Sequence, residues 1–173
     1  PCLKLKPAPE IRSSGYLGLD VEVYGGVLLN TWFDRDLSIA GRITSLTSDD
    51  RIISCLIDFA DNVAFIPSLA IHLNRDVNNS KSVNPQKEII PITMHNSSGD
   101  SSSGFMSLLL EKAKNENQGI TEILEHDLYL YDTQKPSFIG MGKEFIAGAR
   151  IDNLLSCFAG TKAISEAGTD FCS

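Results

Sequence analysis

The chain holds three histidines, His72, His95 and His126, and no two of them stand at HxH or HxxxH spacing. A metal site made of imidazoles alone would therefore have to gather ligands from distant segments. His95 borders a polar loop and His126 is expected near a helix end, both ordinary places for a solvated histidine. His72 differs, because it follows the apolar Leu69-Ala70-Ile71 and precedes Asn74-Arg75-Asp76; a surface or core histidine and a functional one are both open there. The stretch FIAGARIDNLLSCFAG, residues 145–160, puts Asp152 between a strand-like segment and an amphipathic one. A carboxylate so placed can cap the helix or hold a metal, and the cap is the reading that needs no further residue. In Trp32-Phe33-Asp34-Arg35-Asp36 two carboxylates flank a guanidinium. That could be an acid/base pair, but a hairpin turn with Asp side chains on local N–H groups, Arg35 bridging strands and Trp32 as a core or interface anchor explains it with less. The four cysteines, Cys2, Cys55, Cys157 and Cys172, lack CxxC spacing and are expected to be free thiols. With no GxSxG or P-loop sequence and no cysteine beside a histidine, nucleophilic catalysis has no local support.

The elements that must position these residues are mostly β. LGLDVEVY, VLLNTWF, LSIAGRITSL and RIISCLIDF, between Leu17 and Phe59, are rich in β-branched and aromatic residues. Gly25-Gly26, Asp34-Arg35-Asp36 and Ser48-Asp49-Asp50 punctuate them, and such short intervals suit antiparallel neighbours. Pro67 could open a short helix leading into His72. Residues 96–104, NSSGDSSSG, have little to bury. Beyond them Phe105, Leu108, Leu109 and Ala113 share one helical face, with Ser103 available as N-cap. A short helix is expected after Thr121, a strand at DLYLYD (127–132), and a last helix from Asn153 to about Ala167. The residues alone thus give a mainly β fold with added helices, α+β in class.

A length of 173 residues with 42% hydrophobic content can build a sizeable core. The net charge of -7 and the lack of a Lys/Arg run argue against a nucleic-acid or anionic-membrane surface. No apolar run approaches the roughly 20 residues a spanning helix needs, and PCLKLKPAPE does not read as a signal peptide, so a cytoplasmic protein is expected.

PCLKLKP, VEVYGGVLLNTWFDRDLSIAGR, IPSLAIHLNRDVN, LYDTQ and FIAGARIDNLLSC, in this order, resemble the aspartyl aminopeptidase family of dinuclear zinc exopeptidases, its bacterial members above all. The resemblance implies a largely β, antiparallel barrel- or roll-like dimerisation domain inserted in a zinc-peptidase α/β catalytic fold. Residues 1–12 would be a stub of the catalytic domain, 13–146 the dimerisation domain, and 147–173 the return. Asp152 matches the family's aspartate that bridges two zinc ions, whereas the family's other ligands have no counterpart in this sequence. His72 matches a histidine that reaches the neighbouring subunit's active site, where it would contact substrate and act in catalysis. The resemblance thus implies a zinc aminopeptidase that removes N-terminal residues from peptides, holding two Zn ions in the parent enzyme and none stably on this chain. It also implies a homodimer, which in the family builds dodecamers. The rival expectation is a non-catalytic self-association module from a truncated relative.

Overall fold

The computed structural model describes residues 2–96 and 104–167. The expected Ser103 cap, most of the serine-rich loop and Cys172 lie outside them. Chain contacts form two units, residues 1–133 and 134–173.

The first unit is built on a six-stranded antiparallel sheet. Its strands are β1 (Cys2–Ser13), β2 (Tyr16–Tyr24), β3 (Leu37–Thr47), β4 (Ile52–Asp58), β5 (Ile92–His95) and β6 (Ile120–Asp132), in the order β4-β3-β6-β1-β2-β5. Strict alternation of Leu3 and Leu5 with Lys4 and Lys6 makes β1: the leucines are buried, while Lys4 pairs with Asp127 at 2.8 Å and Lys6 with Asp20 at 2.9 Å. Ser14 and Gly15, with φ of 52° and 81°, close the β1–β2 hairpin, where two positive φ values match the strand twist. Leu17, Leu19, Ile39, Ile43, Leu128 and Leu130 extend the buried face. The helix α1 (Phe105–Glu116) adds Phe105, Leu109 and Ala113 to this core, with Met106 and Leu110 packed against it, whereas Leu108, expected on the same face, is exposed. Its first turn is held by Glu10 of β1, whose carboxylate accepts the Met106 N–H at 3.1 Å.

The sheet does not close into a barrel. At one end, isolated bridges from Ala64 to Leu37 and from Phe65 to Ile92 span the gap between β3 and β5, which gives a roll.

Several local expectations are corrected. VLLNTWF forms a 3-10 turn, Leu29–Trp32, rather than a strand, because it turns Trp32 into the core. The segment after Thr121 belongs to the long strand β6, paired with β3 over its whole length, and is not helical. Pro67 opens no helix; residues 67–70 are irregular and lead into a turn. β2 and β3 are consecutive but not adjacent, since β6 and β1 lie between them.

The second unit has a hairpin of β7 (Ser137–Ile139) and β8 (Phe145–Ala147), then the helix α2 (Ile151–Glu166).

Candidate functional site

His72 sits at the exposed tip of the connection between β4 and β5. The turn is closed by Leu73 N–H on the Ala70 carbonyl at 2.9 Å, which displays Ile71, His72 and Leu73 together. Leu73 is 74% exposed. The stem below is fixed on both sides. Leu37 and Ala64 exchange backbone bonds, Asp34 N–H donates to the Ile66 carbonyl at 2.9 Å, and Ile66 is buried. The Ser68 N–H donates to the Asp34 carboxylate at 2.9 Å, and the bonds from Ser68 hold that carboxyl below the usual carboxylate range. On the return, Lys81 lies over the Phe33 ring at 3.9 Å and Ile89 is buried. A rigid stem with an imidazole between two exposed aliphatic side chains can offer a proton donor to something outside its own fold.

The Trp32–Asp36 cluster thus has a structural role, but not by local bonds. Asp34 serves Ser68, Arg35 pairs with Asp132 at 3.1 Å, and Asp36 accepts from Asn62 at 3.0 Å. No pair of carboxylates is left facing a common reactant.

Asp152 lies in the first turn of α2, exposed and with extended backbone, φ -84° and ψ 109°. The expected N-cap is not seen: the cap position falls on Arg150, in the left-handed region, and no side-chain cap bond is made there. The carboxylate is left facing outward. Among the described residues no group of three or more His, Cys, Asp and Glu converges. A zinc ion needs at least three such ligands, so these residues do not fit a metal site by themselves.

The other candidates recede. His95 packs edge-on against Tyr16, ring centroids 5.6 Å apart. His126 lies in the middle of β6, not by a helix end. Both its ring nitrogens are buried, and burial lowers its pKa, with the nearby Pro7 backbone carbonyl opposing. Cys2, Cys55 and Cys157 are free; burial raises the Cys55 thiol, with Glu116 adding to it, so it is a poor nucleophile.

The described residues thus give an α+β roll that projects a histidine and, in the second unit, a helix whose leading aspartate has no companion ligands among them. The chain belongs to the M18 family of aminopeptidase I zinc metalloproteases, whose sequence profile it matches over residues 1–172. It is 50% identical over 171 residues to a probable M18 family aminopeptidase 2 of Pseudomonas putida, covering 98% of this chain and 39% of that protein. The fold is similar to that of Chaetomium thermophilum mApe1, with a TM-score of 0.80 and 29% identity over 96% of this chain and 40% of that one. It is also similar to the S. cerevisiae mApe1 dodecamer, with a TM-score of 0.71 and 29% identity over 94% of this chain and 36% of that one. The chain therefore spans well under half the length of these relatives.

Proposed function

We propose that this chain is the dimerisation-domain portion of a zinc-dependent aminopeptidase that removes N-terminal residues from peptides. In this reading residues 13–146 form the dimerisation domain, and 1–12 and 147–173 join it to the catalytic domain. The observation that carries it is α2: none of its residues is buried, although Leu154, Leu155, Phe158 and Ile164 are apolar. A helix of that composition is made to be covered, and the relatives' additional length supplies the cover. Asp152 then contributes one carboxylate to a two-zinc site completed by residues outside this chain. His72 donates a hydrogen bond to the substrate carbonyl or its tetrahedral oxyanion in the neighbouring subunit. The protein works as a homodimer, and the mApe1 dodecamer supports a larger assembly of such dimers. A cytoplasmic location goes with the free thiols Cys2, Cys55 and Cys157.

The chain alone is expected to show no hydrolysis of Asp- or Leu-amide substrates with zinc, manganese or cobalt supplied. Turnover that disappears in Asp152→Ala would overturn the proposal. In the full-length protein, His72→Ala should lower kcat with zinc content nearly unchanged, and Asp152→Asn should lower zinc content. Mixing the two inactive variants should restore about a quarter of wild-type activity, because half of randomly formed dimers are mixed and each holds one intact site of two. No recovery after verified subunit exchange would place His72 outside the partner's site.

A further inference from the structure

The sheet has two edges, and they are treated differently. At β5, Phe65 and Ile92 exchange both backbone bonds, at 3.0 and 2.8 Å, so a stretch of chain already covers that edge. At β4 the sheet ends, and among the described residues nothing pairs with its outer side.

The β4 edge has a definite polarity. Thr47 N–H donates to the Arg51 carbonyl at 2.9 Å and Phe59 N–H to the Ile39 carbonyl at 3.0 Å, while the register between them is unbroken, with Thr44 opposite Ser54. Bonded and non-bonded pairs alternate along an antiparallel ladder. Ile53, Cys55 and Ile57 therefore turn their N–H and C=O groups toward β3, and Ile52, Ser54 and Leu56 turn theirs outward. The residues with free backbone groups also carry exposed side chains: Ile52 is 68% and Leu56 78% exposed. This edge has no proline or lysine and no bulge in its register with β3, the devices that normally keep sheet edges from pairing.

We propose that the β4 edge is the dimer seam, paired antiparallel with β4 of a second copy about a two-fold axis at Ser54. In that register Ser54 faces Ser54, and Ile52 of each copy faces Leu56 of the other. All three residue pairs are of the hydrogen-bonded kind, giving about six backbone bonds, and both exposed aliphatic side chains are covered. A different protein's strand could use the same backbone groups, but the match of Ile52 to Leu56 around a central small residue is self-complementary, as an isologous contact requires. The ladder ends beyond these pairs. Asp50, with φ 58°, has left the strand, and the Asp58 carboxylate is engaged on its own chain by the Tyr131 hydroxyl at 2.8 Å and the Ala60 N–H at 2.9 Å.

This inference rests on the self-association proposed above, and its test separates the two. Sedimentation velocity on the chain at micromolar concentration should give a dimer. Ser54→Pro removes only an outward N–H, a substitution that edge strands tolerate, and Leu56→Arg changes only an exposed side chain. Each should give a monomer with unchanged circular dichroism. With Cys2, Cys55, Cys157 and Cys172 replaced by serine, Ser54→Cys should form an intermolecular disulfide under mild oxidation. The expected Cα separation of about 5.5 Å in such a pair lies within the ~4.4–6.8 Å that a disulfide spans.

A dimer that persists in both folded variants would overturn the seam while leaving self-association standing. In a matched chain that keeps Cys55 as its single thiol, cross-linking there but none through Ser54→Cys would overturn the register. A monomeric wild-type chain would overturn self-association itself. Were Ser54→Pro to unfold, Leu56→Arg and the cross-link would decide.

Discussion

Asp34 holds up the segment that presents His72, and the bond by which it does so depends on its charge. The Ser68 hydroxyl and backbone N–H favour the ionised carboxylate in the folded state, so its folded pKa is below the unfolded value. The stabilisation is therefore fully present above the ordinary aspartate pKa of about 3.9 and is lost as pH falls through the lower, folded value. Amide exchange at Ser68, corrected for its intrinsic pH dependence, should rise several-fold in Asp34→Ala at neutral pH; the exposed setting keeps the effect modest. In wild type the same loosening should appear only in acid, and equal protection in the two proteins at pH 7 would show that Asp34 does not hold the stem. The cluster around Asp34 was visible in the sequence, but its partner was not, because Ser68 is 34 residues away and no local pattern couples them. Asp152 shows the converse. Its position before a helical stripe is what a cap looks like in one dimension, yet Arg150 takes the left-handed turn and Asp152 remains extended.

At the scale of elements, strands with a clean period of two were the most legible. LSIAGRITSL and RIISCLIDF match β3 and β4 almost residue for residue, and Leu-Lys-Leu-Lys carries the same signal for β1. The segment after Thr121 is ambiguous in one dimension because ITEILEH satisfies both periods, and its long pairing with β3 is a tertiary decision. The start of α1 was likewise settled from afar. Gly104 has the cap position but no side chain, and an added Cβ would run into the Glu10 carboxylate that serves the helix instead. Glu10→Ala should therefore lower stability by about 0.5–2 kcal/mol, the usual worth of a helix cap. Thermal unfolding followed at 222 nm would show it, and an unchanged midpoint would mean that solvent replaces the carboxylate at no cost.

On the scale of the whole molecule, the two units differ in what they bury. The sheet unit closes a continuous core from Leu3 to Leu130, whereas α2 buries none of its residues and leaves Phe158 64% exposed. The helical stripe was legible in the sequence. That none of the described residues buries it was not, because periodicity reports which face is apolar but not what lies against it. If the catalytic domain covers that face, the effect of one substitution must depend on how much of the protein is present. In the chain alone, Phe158→Ala removes a side chain already in water and should change stability by less than about 0.5 kcal/mol. In the full-length protein the same change would leave a cavity and should cost about 3–5 kcal/mol. Matched denaturant titrations of the two backgrounds give the comparison directly. Equal effects in both, large or small, would mean that α2 has the same surroundings with and without the additional sequence, and the reading of residues 147–173 as a return into a catalytic domain would fall.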